Sequence, residues 1–241
     1  MSFLDKRELK TFHLPLIYPD LPKKESPYRF IHIPKTAGIS VRSWLGKIQN
    51  VKIYYGKGNV LLSDRKKMHL NVIQGMHSPA EKFIGEQSIK FTIVRHPYTR
   101  LFSAYNYTKN NLNLNEEFRT VSDSFEKFIE EYVYDNNFTE TFATQRIFLV
   151  NKLKRQNLCV NHIFKMENLE AKLQEFFGVN HTLPNYNSAN TPDEELLEVL
   201  RDKRLKKIID DAYKWDLKHL NYSTDPGKMY EYQQHTLPNY F

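Results

Sequence analysis

Three residues that could bind an anion stand between a strand-like run and a helix-like run. The segment from Tyr28 to Leu45 reads YRFIHIPKTAGISVRSWL, in which Lys35, Thr36 and Ser40 offer one positive charge and two hydroxyl groups. Backbone N–H groups at a helix N-terminus converge on a ligand, and the helix dipole favours negative charge there. The segment therefore predicts a seat for phosphate or sulfate, although small residues in a tight turn are also what packing requires.

A second segment, IKFTIVRHPYTRLFSAYNY, repeats this arrangement. A strand is expected to end at Arg95, a helix to start at Pro97, and Ser103 follows the arginine about two helical turns later. A guanidinium binds phosphate through two parallel hydrogen bonds, and a serine hydroxyl adds another. We therefore expect Arg95 and Ser103 to bind one phosphate. Arg100 and Tyr105 fit a salt bridge and a packed aromatic ring as well as they fit a ligand role.

Short β-rich runs alternate with helical patterns along the chain, which is typical of a parallel sheet joined by crossover helices. The predicted strands are Arg29–Ile33, Asn71–Gly75, Ile89–Arg95 and Asn161–Met166. In the first segment RFIHI would be the strand, PKTAG the turn and ISVRSWLGKI the helix. We therefore predict an α/β fold with a central parallel sheet flanked by helices.

Caps and periodicity indicate the helices. Thr191, Pro192 and Glu194 supply a cap, a proline at the first helical position and a capping-box partner for a helix running towards Leu220. Apolar residues recur on one face of another helix, namely Phe125, Phe128, Ile129, Tyr132 and Val133. The helix of the first segment is expected to present Ile39, Trp44, Leu45 and Ile48 near one face. The polar stretch NYTKNNLNLNEEF, residues 106–118, is expected to be a loop.

Length and composition set limits on the fold and its partners. With 241 residues and 40% hydrophobic content, we expect one domain over residues 1–241, with 1–27 as an N-terminal extension and 224–241 as a C-terminal tail. A net charge of +7 suits an anionic ligand but is equally typical of a basic solvated surface. The single cysteine, Cys159, cannot form an internal disulfide, and no Cys/His spacing typical of zinc sites is present. The first residues contain no apolar run long enough for a signal peptide or membrane span, so we expect a soluble chain.

The two segments together resemble a known family. HIPKTAGIS followed by VRHPYTRLFSAY is similar to the nucleotide-binding segments of carbohydrate sulfotransferases of the Golgi 2-O- and 4-O-type, whose donor is 3'-phosphoadenosine 5'-phosphosulfate (PAPS). The resemblance implies a P-loop-NTPase-like three-layer fold. It assigns the 3'-phosphate to Arg95 and Ser103. It assigns the 5'-phosphosulfate to Lys35, Thr36, Ala37, Gly38, Ile39 and Ser40.

The resemblance extends more weakly through HIFKMENL, residues 162–169, and AYKWDLKHLNYS, residues 212–223. Two positions depart from the family pattern, since Ile39 stands where threonine is common and His96 where aspartate is common. We expect both to tune the site. The usual N-terminal membrane anchor of the family is not found in this sequence.

Sulfate transfer to a hydroxyl needs a base, and histidine suits that task at neutral pH. In VIQGMHSPAEKF, His77 follows a strand expected to end at Gly75, at the edge where open α/β sheets bind ligands. This stretch also resembles the region that carries the base in some 2-O-sulfotransferases. His77 is therefore the predicted catalytic base, together with Lys35 as the charge-stabilising catalytic residue. His32 is the reserve candidate, and Glu81 is the carboxylate alternative.

The sequence thus indicates a PAPS-dependent sulfotransferase that acts on a hydroxyl, expected on a carbohydrate, with neither a metal ion nor nucleic acid as a partner. Two other classes stay open. A P-loop-type small-molecule kinase would share the sheet and the loop but should carry a Walker A sequence and acidic magnesium ligands. A non-enzymatic basic binding module could use the aromatic residues, 14% of the chain, as stacking faces, but Lys and Arg are scattered among acidic neighbours.

The expected location is the cytoplasm, where PAPS is made. The Golgi lumen is the alternative if the chain is a fragment that lacks its anchor. N-x-[ST] patterns, which would matter only in a secretory compartment, begin at Asn106, Asn137, Asn180 and Asn221.

Overall fold

The computed structural model describes residues 28–47, 51–55, 70–75, 80–83, 89–110, 124–134, 141–151, 158–184 and 194–231. These residues fall into two compact units. The sheet unit takes the described residues between 28 and 94 and between 145 and 184. The helical unit takes those between 95 and 144 and between 194 and 231. The expectation of one domain over the whole chain stays a prediction.

The sheet unit contains five parallel strands in the order β2-β3-β1-β4-β5. The strands are β1 Tyr28–Ile31, β2 Val51–Tyr55, β3 Leu70–Gly75, β4 Ile89–Val94 and β5 His162–Lys165. Because β1 lies between β3 and β4 and all strands run the same way, their carboxyl ends share one edge of the sheet. The predicted α/β fold with a central parallel sheet is confirmed.

All four predicted strands are present, with ends that differ by one or two residues. β2 was not predicted. Its sequence, VKIYY, does carry the β-branched and aromatic residues that strands favour. It is an edge strand that pairs only with β3 among the described residues. A short run directly after a helix gives a weak sequence signal, and pairing with β3 supplies the rest.

The helices are α1 Gly38–Lys47, α2 Pro97–Asn110, α3 Phe125–Phe128, α4 Arg146–Leu149, α5 Leu169–Phe177, α6 Glu194–Arg201, α7 Lys203–Ala212 and α8 Lys214–His219. A π-helical turn, Ile129–Val133, continues α3, and shorter 3-10 turns occur at Ala80–Phe83, Met166–Asn168 and Pro226–Lys228. The first five residues of the asparagine-rich stretch, 106–110, belong to α2 rather than to a loop. Residues 111–118 of that stretch lie outside the described residues.

The single helix predicted to run towards Leu220 is wrong, because the structure has α6, α7 and α8 there. The first break lies at Asp202, whose extended backbone interrupts the helix and whose carboxylate accepts hydrogen bonds from the N–H groups of Arg204 and Leu205. An aspartate that caps a new helix competes with continuation of the old one. Thr191 and Pro192, the predicted start, lie outside the described residues.

An aromatic and aliphatic cluster fastens α1 and α5 to the sheet. Its buried members are Phe30, Phe91 and Ile93 of the sheet, Val41, Trp44 and Leu45 of α1, and Leu169, Leu173 and Phe177 of α5. The Trp44 indole donates to the carbonyl oxygen of His181 at 2.7 Å. Ile39, predicted to share the apolar face, is instead 53% exposed, because it lies on the first turn of α1 beyond the cluster. Ile48 lies outside the described residues.

The core of the helical unit is aromatic. All five residues of the predicted apolar face from Phe125 to Val133 are buried, which confirms that face. Tyr105 of α2 packs against Phe125 and Phe128, with ring centroids 5.1 and 5.4 Å apart. Ser124 caps α3 by accepting a hydrogen bond from the Lys127 N–H. This packing fixes α2, which carries the second predicted binding segment.

Candidate active site

The loop between β1 and α1 has an unusual backbone. Lys35 and Ala37 have φ angles of 67° and 63°, in the left-handed region that residues with a side chain seldom adopt. Each such residue costs on the order of 1–3 kcal/mol and persists only where the surroundings enforce it. Left-handed residues that alternate with right-handed ones turn successive N–H groups towards one point, which is how anion-binding loops are built. The loop therefore has a backbone suited to an anion.

Side chains inside the loop hold this shape. Thr36 is fully buried, and its hydroxyl donates to the Ile33 carbonyl oxygen at 2.9 Å, which closes the turn. Ser40, on the first turn of α1, is also buried, whereas Lys35 is half-buried. The sequence predicted that Thr36 offers its hydroxyl to the anion, but the structure directs that proton into the loop.

Gly38, the first residue of α1, is required by a neighbour rather than by its own backbone. A Cβ atom placed there would lie 1.9 Å from Nε2 of His32, far inside any real contact. The His32 imidazole therefore occupies the space that a side chain would need, and it stacks on Phe30 with ring centroids 5.7 Å apart. His32 thus contacts the start of α1 directly, which sequence reasoning did not foresee.

The segment after β4 is organised by side chains. As predicted, the strand gives way to a helix that starts at Pro97. The half-buried Arg95 donates from Nε to the Thr99 hydroxyl at 2.9 Å, and Thr99 donates to the His96 carbonyl oxygen at 3.2 Å. Ser103 is half-buried on α2. Arg95 is therefore held by the first turn of the helix that it precedes.

His96 is buried, and its ring nitrogens have different partners. Nδ1 lies 3.3 Å from the Tyr98 N–H, which can only donate, so Nδ1 accepts. Nε2 lies 2.9 Å from the Ser223 carbonyl oxygen, which can only accept, so Nε2 carries the proton. The contacts define a neutral imidazole protonated at Nε2.

The structure decides the two open cases of the second segment in favour of packing. The fully buried Arg100 donates to the carbonyl oxygens of Ala143 and Thr141 at 2.7 and 3.1 Å. Burial lowers its pKa, and the charge of Asp216 partly opposes that shift. Tyr105 is 2% exposed and lies in the aromatic core. Both residues therefore stabilise the helical unit.

The predicted site residues fall into three groups. Residues 35–40 form one continuous loop and helix start in the sheet unit. In the helical unit, Arg95 precedes α2 and Ser103 lies on its second turn. β1 and β4, from which the two segments continue, are adjacent parallel strands. His77 lies outside the described residues, so its role stays a prediction.

Sequence reasoning did not single out Thr99, which contacts Arg95, or the buried Lys165. Thr99 could have been found from its spacing, because a residue four positions after Arg95 meets it once a helix begins. Lys165 ends β5 and is 2% exposed. Burial lowers the pKa of Lys165 to about 8, against the opposing effect of the Glu167 carboxylate. The segment HIFKMENL showed a lysine near the end of a predicted strand, but the sequence did not show that this lysine is buried.

The described residues contain neither a candidate membrane-spanning helix nor a candidate metal-binding cluster. None of their helices combines the length and the apolar character needed to cross a bilayer. No group of three or more His, Cys, Asp or Glu side chains in this part of the chain is arranged to hold a metal ion.

Comparison with known proteins supplies the class. Residues 26–223 match the sulfotransferase family, which is 198 of the 241 positions. The match places this α/β protein among transferases. The chain belongs to the sulfotransferase family.

Solved sulfotransferase structures are similar to this chain only distantly. The crystal structure of a sulfotransferase from Alicyclobacillus acidocaldarius is 12% identical, with 77% of this chain and 94% of that chain covered and a TM-score of 0.37. The mouse sulfotransferase SULT7A1, complexed with PAP, is 15% identical, with 77% of this chain and 66% of that chain covered and a TM-score of 0.35. No curated protein sequence matches significantly. The family assignment rests on the sequence match.

Proposed function

We propose that this protein transfers a sulfuryl group from PAPS to a hydroxyl group, with a carbohydrate as the acceptor class. The observation that carries the proposal is the left-handed, threonine-closed loop after the central strand, in a chain that belongs to the sulfotransferase family. Such a loop suits an anion, and the donor presents one at each end. The acceptor class is supported only by the resemblance of the two segments to carbohydrate sulfotransferases.

Residues 35–40 would bind the 5' side of the donor. During transfer the bond between sulfur and the bridging phosphate oxygen breaks, and negative charge grows on that phosphate. Lys35 and the N–H groups at the start of α1 would stabilise this charge in the transition state. Because a sulfuryl group carries less charge than a phosphoryl group, the proposal calls on these cationic and backbone groups and not on a metal ion. Ile39, exposed on the same turn, would contact the nucleotide.

Arg95 and Ser103 would bind the 3'-phosphate. Arg95 offers a planar cation for a forked contact, and Ser103 offers one hydroxyl. The bond from Arg95 Nε to Thr99 sets the orientation of the guanidinium before any ligand arrives. This role separates PAPS from nucleotides that lack a 3'-phosphate.

His77 would take the proton of the acceptor hydroxyl while the acceptor oxygen forms its bond to sulfur. We expect His77→Ala to leave PAP affinity nearly unchanged and to lower the transfer rate by about 10² to 10⁴, the range for a positioned base. His77→Asn keeps hydrogen-bonding capacity but cannot accept the proton at neutral pH. Full activity of a folded His77→Asn enzyme would rule out this assignment and direct attention to His32 or Glu81.

The proposal is tested by sulfate transfer from labelled PAPS to a panel of glycans and small alcohols. We expect a labelled glycan product and the release of PAP. Calorimetric titrations with PAP and with ATP supply the binding control. A protein that binds ATP but not PAP would support the small-molecule kinase instead. Binding of neither nucleotide would contradict both enzymatic functions.

A further inference from the structure

A network at the start of α2 connects Arg95 to a segment more than one hundred residues further along the chain. We call residues 222–225 the C-terminal strap. The network begins with the bond from Arg95 Nε to Thr99 Oγ1 and continues from Thr99 Oγ1 to the carbonyl oxygen of His96. The His96 imidazole then donates from Nε2 to Ser223 of the strap at 2.9 Å. Thr99 therefore orients Arg95, the His96 carbonyl oxygen orients Thr99, and the His96 imidazole anchors that same residue to the strap.

Aromatic packing rigidifies the middle of the network. The His96 ring lies against Tyr98 and Tyr222, with centroid distances of 4.7 and 5.0 Å. His96, Tyr98 and Tyr222 are all at least 95% buried. A buried imidazole with both nitrogens bonded has one allowed orientation, because any rotation would leave a polar group unsatisfied.

Tyr98 attaches the network to α7. Its hydroxyl donates to Asp210 at 2.5 Å, and a weaker contact of 3.3 Å reaches the Thr224 carbonyl oxygen of the strap. Lys206 forms an ion pair with Asp210 at 2.6 Å and lies over the Tyr98 ring. Burial, followed by the contact with Asp210, raises the pKa of Tyr98, so the phenol remains a donor.

We propose that Thr99 and His96 are positioning residues for Arg95, and that the C-terminal strap is thereby a supporting part of the 3'-phosphate site. The inference rests on the proposed function of Arg95. An arginine side chain has many rotamers, and binding a phosphate through it is weaker when those rotamers must first be restricted. The Thr99 hydroxyl removes part of that cost by fixing Nε, while His96 and the strap fix the turn that carries Thr99.

A purely structural function for the same contacts makes a different prediction. If the network only stabilised the helical unit, its loss would lower the free energy of unfolding and would weaken the binding of every nucleotide alike. If it positions Arg95, its loss should selectively weaken the binding of PAP. Adenosine 5'-phosphate, which lacks the 3'-phosphate, is the matched ligand. The ratio of the two affinities is the quantity that distinguishes positioning from stability.

The test uses three variants of the full chain. Thr99→Val removes the hydroxyl at nearly constant volume, Thr99→Ser keeps it, and Thr108→Val removes a comparable hydroxyl that bonds the Ala104 carbonyl oxygen on the same helix. We expect Thr99→Val to lower the affinity for PAP about 3- to 10-fold, which corresponds to the loss of one hydrogen bond. The affinity for adenosine 5'-phosphate should fall by less than about twofold. Thr99→Ser and Thr108→Val should keep the ratio of the starting protein.

The strap is tested through His96. His96→Gln can place an amide N–H near the position of Nε2, whereas His96→Leu has no donor for Ser223. We expect His96→Leu to lower the ratio of PAP affinity to adenosine 5'-phosphate affinity about as much as Thr99→Val does. His96→Gln should recover part of that ratio. In the double variant His96→Leu/Thr99→Val, the loss of PAP binding free energy should be smaller than the sum of the losses in the two single variants, because both act through Arg95. If His96→Leu does not fold, the Thr99 series decides alone.

The outcomes separate the inference from the proposed function. If the starting protein binds both nucleotides equally, Arg95 does not bind a 3'-phosphate and the proposed function is wrong at that point. If the starting protein prefers PAP and Thr99→Val keeps that preference, only the positioning inference is wrong. Parallel losses of both ligands in Thr99→Val would also overturn it, in favour of a structural function.

Discussion

The loop after β1 and the turn after β4 are both strand-to-helix connections, but different groups hold them in shape. The first takes its shape from the backbone, with left-handed Lys35 and Ala37 and an internal bond from Thr36 to Ile33. All of these groups lie within five residues of one another. The second takes its shape from side chains, in which Arg95 is oriented by Thr99. That turn depends on distant Ser223 as well.

This difference teaches where each segment should tolerate substitution. A loop that is proposed to bind through backbone N–H groups, which every residue except proline carries, should depend on most of its side chains only for the shape of the chain. A site built from side chains loses its function when a single hydroxyl or guanidinium is removed, even though the backbone is unchanged. Lys35 is the exception in the first loop, because it adds a full charge.

In the comparison of the two connections, the largest expected effect is that of Lys35→Ala. Removing one group that stabilises transition-state charge lowers transfer by about 10² or more. PAP affinity should fall less than the rate, because the charge on the leaving phosphate is greatest during transfer. Steady-state kinetics with labelled PAPS measure both. Lys47→Ala, at the exposed end of the same helix, is the matched control. Turnover retained in Lys35→Ala would show that the Lys35 side chain does not stabilise charge in the transition state.

A smaller effect is expected in the second segment. Arg95→Ala should lower the affinity for PAP about 10- to 100-fold, which corresponds to the loss of a charged hydrogen-bonded contact. Ser103→Ala should lower that affinity about 3- to 10-fold. Neither should change the affinity for adenosine 5'-phosphate by more than about twofold. Calorimetric titrations with both nucleotides provide the comparison. Arg201→Ala, which breaks an exposed ion pair with Glu194, is the control. Equal losses for both ligands would mean that Arg95 and Ser103 only hold the helix.

Gly38→Ala tests the contact between the loop and His32. The new methyl group would collide with the imidazole, so the free energy of unfolding should fall by about 1–3 kcal/mol. His32→Ala removes the obstacle, and in that background Gly38→Ala should stabilise by up to about 1 kcal/mol, because alanine is the better helix former. Denaturant unfolding of the four proteins closes the cycle.

Gly46→Ala is the matched control for that cycle. Gly46 lies on the same helix with nothing near its missing side chain, so alanine should be neutral or stabilising there. If Gly38→Ala behaved like Gly46→Ala in the starting protein, the His32 contact would not constrain the loop.

The smallest effect is expected for Ala37→Gly. Glycine adopts the left-handed conformation without strain, but it loses a methyl contact with the core cluster and gains freedom in the unfolded state. These terms oppose one another, so the free energy of unfolding should change by less than about 1 kcal/mol. Ala37→Val, with a branched side chain at the same φ, should cost more. A valine variant as stable as the alanine protein would show that this residue does not need its left-handed backbone.

The sequence was most informative where the signal is local. The strand, turn and helix of the first segment follow from contiguous residues, as does the helix start at Pro97. β-rich runs located four of the five strands of the described sheet, and helical periodicity located the apolar face from Phe125 to Val133. The prediction of one long C-terminal helix was wrong, because a local capping bond at Asp202 overrides a favourable helical pattern.

Three features depended on contacts between residues far apart in the chain or hidden by burial. The pairing of β2 with β3 made a strand of a run that is ambiguous by itself. Packing decided that Arg100 and Tyr105 are structural, since only burial and partners distinguish a ligand group from a core group. The tautomer of His96 is set by Ser223, 127 residues away.

The amino-acid sequence alone therefore determined the class of fold, the two candidate binding segments and the family resemblance, because these depend on residue types at short spacing. The tertiary structure alone decided that His32 contacts Gly38 and that Arg95 is oriented through Thr99. The physical reason is that a side chain's role depends on which groups exclude water from it and which accept its protons. Those neighbours come from several strands and helices at once, and only the folded chain brings them together.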